Sequence, residues 1–66
     1  MPWILVFKVI DSTTESVIRD ERKLSFEEES LRIMEQKYIS KCDMMGWKLP
    51  QFNVTLSITY DPDKND

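Results

Sequence analysis

The 66-residue sequence has no histidine and only one cysteine, Cys42, and one glycine, Gly46. Without histidine it lacks the commonest metal ligand and the usual general base at neutral pH. One cysteine cannot form an intrachain disulfide, and one glycine excludes a glycine-rich phosphate loop. Since nothing is present to activate a hydroxyl or thiol nucleophile, the sequence predicts no enzyme, cofactor site or metal site.

Long hydrophobic runs are also missing. No segment approaches the roughly 20 apolar residues of a membrane helix. The apolar segment at residues 3–10 lacks the basic region and small-residue cleavage site of a signal peptide. We therefore expect a cytoplasmic domain that does not associate with membranes.

An excess of basic residues is absent as well. Nine lysines and arginines stand against twelve aspartates and glutamates, for a net charge of −3. The densest basic segment, Arg19 to Lys23, contains two acids of its own. Since nucleic-acid binding needs a basic footprint, we expect no direct nucleic-acid partner.

Three segments show strand patterns. Residues 3–10 (WILVFKVI) are apolar on both alternations except at Lys8, which is typical of a central strand. After a polar turn cluster at 11–16, the charged segment 16–24 predicts an edge strand paired back on the first. Residues 52–60 (FNVTLSITY) alternate strictly between apolar and polar side chains.

A helix is predicted between the second and third strands. Ser25 is a good N-cap, and Glu28 three residues later completes a capping box. Glu27, Glu28 and Glu29 would fill the first turn, where the helix dipole favours negative charge. Glu28 also stands at the favourable i,i+4 spacing from Arg32. The run of glutamates is therefore chiefly a helix start.

The other end of this helix is marked by Gly46, which suits a left-handed C-terminal cap. Trp47 would then fold back on the last turn near Cys42. The apolar positions of the segment form one stripe, made of Leu31, Met34, Tyr38, Cys42 and Met45. The predicted helix runs from about Phe26 to Met45.

Together these elements predict a single α+β domain over residues 1–60 and a solvated acidic tail over 61–66. The order is β-β-α-β, with a mainly antiparallel three-stranded sheet ordered 2-1-3 and the helix packed on one face. If Lys8 faces solvent, the residues that face the helix are Trp3, Leu5, Phe7 and Val9.

The other face of this sheet is left without a covering layer. It carries large aliphatic residues beside Lys8, and exposed apolar patches mark contact surfaces. The alternative is that strand twist and the side chains of Lys8 and Arg22 cover them. The third strand has no lysine or proline that would block pairing at its edge. The candidate partner-binding residues are Ile4, Val6, Lys8, Ile10, Thr55, Ser57 and Thr59.

A second hypothesis is that the chain is an acidic mimic of nucleic acid. Its acidic residues would imitate nucleic-acid phosphates and occupy a basic groove of a nucleic-acid-handling protein. The residues concerned are Asp20, Glu21, Glu27, Glu28 and Glu29. A net charge of −3 is modest for such a role.

The layout of a hairpin, an acid-started helix and a Gly46-Trp47 step into the last strand resembles small phage-encoded proteins that block host enzymes. The phage T7 inhibitor of bacterial RNA polymerase is similar in this respect over residues 3–60. The resemblance implies a non-catalytic inhibitor or adaptor that binds a protein partner in the host cytoplasm, as a homodimer or in a hetero-complex. A minor structural subunit of an assembly is the remaining alternative.

Overall fold

The structure is a computed structural model that describes residues 2–61. Its elements are β1 (Trp3–Asp11), β2 (Ser16–Ser25), α1 (Glu28–Met45) and β3 (Phe52–Tyr60). β1 pairs antiparallel with both other strands, which gives the order β2-β1-β3. The predicted α+β fold and strand order are confirmed. Apart from Asp61, the predicted tail lies outside the described residues.

The β1–β2 connection is a tight polar turn, as its composition predicted. An Asp11 carboxylate oxygen accepts the backbone N–H of Thr13 at 2.9 Å, a local bond that favours a turn. Glu15 closes the turn at φ 59°, in the left-handed region. One residue later β2 begins at Ser16.

A β-bulge interrupts the β1–β2 ladder near this turn. Val9 is opposite Arg19, but Ile10 is opposite Val17, so Ile18 has no opposite residue in β1. An extra residue in one strand bends it and shifts the alternation of its side chains by one. Val17 therefore shares a face with Ile10 and not with Arg19.

The predicted start of α1 is wrong by about two residues. α1 begins at Glu28, and its N-cap is Glu27, which makes no side-chain cap hydrogen bond. Ser25 is still in β2, opposite Trp3, so the chain needs two further residues before it can turn into a helix. The Ser25 hydroxyl accepts the Glu27 N–H at 3.0 Å instead. The predicted capping box is absent, since Glu28 binds Arg32 at 2.8 Å.

The end of α1 is confirmed. Gly46 has φ 72°, its N–H donates to the Asp43 carbonyl at 3.4 Å, and the Trp47 N–H donates to the Cys42 carbonyl at 3.0 Å. These two bonds form a Schellman motif. The turn brings Trp47 back onto the sheet, where only 7% of it stays exposed.

The core is small and lies between α1 and one face of the sheet. Its buried residues are Leu5, Phe7, Val9, Leu31 and Trp47. The half-buried residues packed around them are Trp3, Tyr38, Cys42, Phe52, Val54, Leu56 and Ile58. The predicted inward face of β1 is therefore confirmed.

Two members of the predicted helix stripe do not belong to this core. Met34 is 37% and Met45 56% exposed. Met34 is three residues after Leu31, which rotates it by about 60° around the helix axis. A single helix on three strands buries only a narrow stripe, so positions at its flank stay accessible.

Candidate functional site

The candidate site is the sheet face that α1 does not cover. Successive residues of a strand project from opposite faces, and cross-strand partners project from the same face. Because Leu5, Phe7 and Val9 point toward α1, the alternate residues of β1 point away from it. We call this surface the open face; it consists of Ile4, Val6, Lys8, Ile10, Val17, Asp20, Arg22, Leu24, Asn53, Thr55, Ser57 and Thr59.

The strand register orders the open face into rows across the sheet. From one end to the other the rows are Leu24–Ile4–Thr59, Arg22–Val6–Ser57, Asp20–Lys8–Thr55 and Val17–Ile10–Asn53. The first and last rows contain no charge. The charged side chains all lie in the two middle rows.

The aliphatic side chains of the open face remain accessible. Leu24 is 57% and Val17 53% exposed, while Ile4, Val6 and Ile10 are half-buried. Among residues 2–61 there is no second layer over them, since α1 packs on the opposite face. The neighbouring side chains shield the central strand only in part.

The charges in the middle rows have no partners within the part of the chain that the structure describes. Lys8 and Asp20 are cross-strand partners, yet no ion pair joins them, and Arg22 forms none with any of residues 2–61. On the other face of β2, by contrast, Arg19 and Glu21 lie 3.6 Å apart. The open face therefore presents one anion and two cations that are free to bind outside groups.

The helix-facing side of β2 is occupied by structural contacts. The Tyr38 hydroxyl donates to a Glu21 carboxylate oxygen at 3.0 Å, and its ring stacks on Phe7 with centroids 4.4 Å apart. Burial, followed by this hydrogen bond, raises the pKa of Tyr38. The Arg19 guanidinium lies 5.9 Å from the ring centroid of Trp47. These contacts attach β2 to the helix layer.

The structure separates the residues of the proposed acidic patch. Asp20 projects from the open face, whereas Glu21 projects toward α1 and binds Tyr38. Glu27 and Glu29 stand at the start of the helix, and Glu28 there binds Arg32. The five acids do not share one surface.

Thr55, Ser57 and Thr59 have the predicted orientation, on the open-face side of β3. β3 is an edge strand, and no strand within residues 2–61 pairs with its outer side. The sequence did not single out Val17, Leu24 or Asn53 as part of this surface. Alternation within β2 could not reveal Val17, because the bulge at Ile18 changes its face.

Cys42 is a packed thiol. It is half-buried against the core, and burial raises its pKa, which disfavours the reactive thiolate. Within residues 2–61 no group of three or more Cys, Asp or Glu side chains could hold a metal ion. The helix in that range is not long and apolar enough to cross a membrane.

Comparison with known proteins gives no relative. No protein-family model, no curated protein and no solved structure matches the chain.

Proposed function

We propose that the chain is a non-catalytic protein-binding module that holds its partner on the open face of the sheet. The observation that supports this most is the presence of five accessible aliphatic residues on a face that no second layer covers among residues 2–61. Large contiguous apolar patches on small soluble domains commonly mark contact sites.

The energetics favour use of this surface. Burial of apolar area contributes about 25 cal/mol per Å². A domain of this length buries only about 60% of its unfolded surface. The core contains only five buried side chains, so covering the five aliphatic residues of the open face would add a second apolar layer of comparable size.

The role that we propose is that of an inhibitor of a host enzyme or an adaptor, acting through the sheet face or the outer edge of β3, as the resemblance to small phage inhibitors implies. The acidic-mimic alternative receives less support, because Asp20 and Glu21 project from opposite faces. The dependence of binding on salt concentration distinguishes the two hypotheses. Binding of an acidic mimic should weaken steeply as ionic strength rises, whereas an apolar contact should not.

The test is Val6→Asp, which places a charge in the middle of the open face. If this face binds protein, the variant should stay folded as a monomer but lose association, because a carboxylate would be forced into a dry contact. The matched control is Ile33→Asp, at a helix position that is 61% exposed and away from the sheet. The control should keep association.

The measurement combines circular dichroism with two binding assays. These are sedimentation equilibrium for self-association and capture of lysate proteins on the immobilised chain. The proposal is wrong if folded Val6→Asp associates as the original does. It is also wrong if Val6→Asp unfolds the isolated chain, because Val6 would then belong to the core.

A further inference from the structure

The rows of the open face are self-complementary. Read along the strands, they run from an uncharged row through a cationic row and a mixed row to a second uncharged row, and the aliphatic residues of both end rows lie on β1 and β2. A second copy turned end over end would therefore place the aliphatic residues of one end row over those of the other. This symmetry indicates a second copy of the chain as the partner, which rests on the proposed function of the open face.

We infer that the open face docks a second copy of the chain about a two-fold axis that lies between the two sheets and perpendicular to the strands. This axis passes between the Val6 and Lys8 rows. β1 then crosses over β1 of the second copy, and β2 over β2, in opposite directions. Such an interface uses the same patch on both copies. The two sheets would lie about 10 Å apart, the usual spacing of aligned sheets that pack face to face.

In this arrangement the end rows cover each other. Ile4 lies over Ile10 of the second copy, and Leu24 lies over its Val17. Because the axis repeats every contact, both ends of the interface become apolar along β1 and β2, while Thr59 lies over the second copy's Asn53. The Lys8 stem lies along the second copy's Val6 and its ammonium group reaches the rim, as long amphipathic side chains do.

The middle rows supply charge complementarity. Asp20 faces Arg22 of the second copy, and Arg22 faces its Asp20. Neither side chain forms an ion pair among residues 2–61 of its own chain. Two symmetric pairs of opposite charge therefore form on docking, and these determine the register.

The other simple axis, parallel to the strands, gives a poorer match. It would place Lys8 directly over Lys8 of the second copy and Leu24 over its Thr59. Like charges and apolar-to-polar contacts oppose that arrangement. The order of the rows thus favours one symmetry over the other.

The available area suits a weak dimer. β1 has nine residues, so a face of three strands measures about 30 Å by 14 Å. Side chains make the accessible area larger than this footprint, so two copies bury on the order of 1,000 Å² in total, the lower end for specific association. We expect a reversible dimer at micromolar concentrations.

The experiment exchanges the charges of the middle rows. Asp20→Arg alone places Arg over Arg, and Arg22→Asp alone places Asp over Asp, so each should weaken self-association at least about tenfold. The double variant Asp20→Arg/Arg22→Asp restores both pairs and should return to within about threefold of the original. Lys37→Asp, on the exposed side of α1, is the control and should have no effect.

Mixing the two single variants is the more specific test of the proposed charge pairs. One copy then carries Arg at both positions and the other Asp at both, so only the heterodimer has matched pairs. Sedimentation velocity should show monomers for each variant alone and dimers for the equimolar mixture. Dimerisation of the mixture supports the inference.

Three outcomes would overturn the inference: single variants that dimerise like the original, a mixture that stays monomeric, or an original chain that is monomeric throughout. Insensitivity to both single changes would point to pairing at the β3 edge. If the original is monomeric but loses a different captured protein on Val6→Asp, the proposed function stands and self-docking fails. If Val6→Asp changes no association, both fail.

Discussion

Replacement of Gly46 by alanine tests the end of α1, where the sequence prediction was most specific. Gly46 has φ 72° and ψ 25°, and a Cβ built there would meet no atom within 4 Å. No neighbour has to move, so the cost is that of the left-handed backbone alone. We expect Gly46→Ala to lower the free energy of unfolding by about 1 kcal/mol.

The chain cannot escape this cost by changing conformation locally. The Trp47 N–H donates to the Cys42 carbonyl at 3.0 Å, and Trp47 is 93% enclosed by the core it packs against, with 7% exposed. A different backbone at Gly46 would displace that indole. For a domain of this length, 1 kcal/mol corresponds to a fall in Tm of about 4–8 °C. Gly46→Val should cost more than alanine, since β-branched residues resist φ > 0.

The assay is urea denaturation followed by circular dichroism, with thermal melts alongside. Gly46→Asn is the matched control, because asparagine tolerates the left-handed region and should cost less than alanine. The m-value should stay unchanged, which would show that the same surface unfolds. Equal midpoints for Gly46→Ala and the original protein would refute the reasoning, since Gly46 would then not be left-handed.

Two further predictions concern side-chain and turn contacts. Tyr38→Phe removes the hydrogen bond to Glu21 and should cost about 1 kcal/mol at neutral pH. Because the pKa of Tyr38 is raised above 10.0 in the folded state, the stability that its hydroxyl contributes is complete below pH 10 and is lost as pH rises through the folded pKa. Tyr38→Phe should therefore lose less stability than the original protein in alkaline melts. An equal loss of stability in both proteins would contradict this. Glu15 has a positive φ, which strains a residue that carries a Cβ. Glu15→Gly removes this strain and should raise the free energy of unfolding by up to about 1 kcal/mol. A lower Tm for the variant would show that Glu15 is not strained.

Local sequence patterns were sufficient where a feature depends on adjacent residues. The apolar character of residues 3–10 on both alternations placed β1 in the centre of the sheet, as the structure has it. A lone glycine followed by tryptophan marked the C-terminus of α1 correctly. Each of these features needs only propensity and spacing, and several local rules agree on it.

Features that depend on pairing between distant residues were missed. Ser25 has the chemistry of an N-cap, but its pairing with Trp3 keeps it in β2. The face of Val17 depends on the bulge at Ile18, which becomes visible only once β2 is aligned on β1. Propensity scales carry no information about register. The candidate surface was therefore predicted on β1, was predicted on β3 without Asn53, and was not predicted on β2.

The two faces of β1 contribute differently to the fold. Leu5, Phe7 and Val9 are 0% exposed and form the core with α1, whereas the intervening Ile4 and Val6 contribute little to that core. Polar residues at such positions would satisfy a two-layer fold equally well, because half-exposed strand positions accept them. Association on the open face would add stability by mass action, as RT ln(1 + [L]/Kd). The Tm of the original chain should therefore rise with protein concentration, and that of Val6→Asp should not.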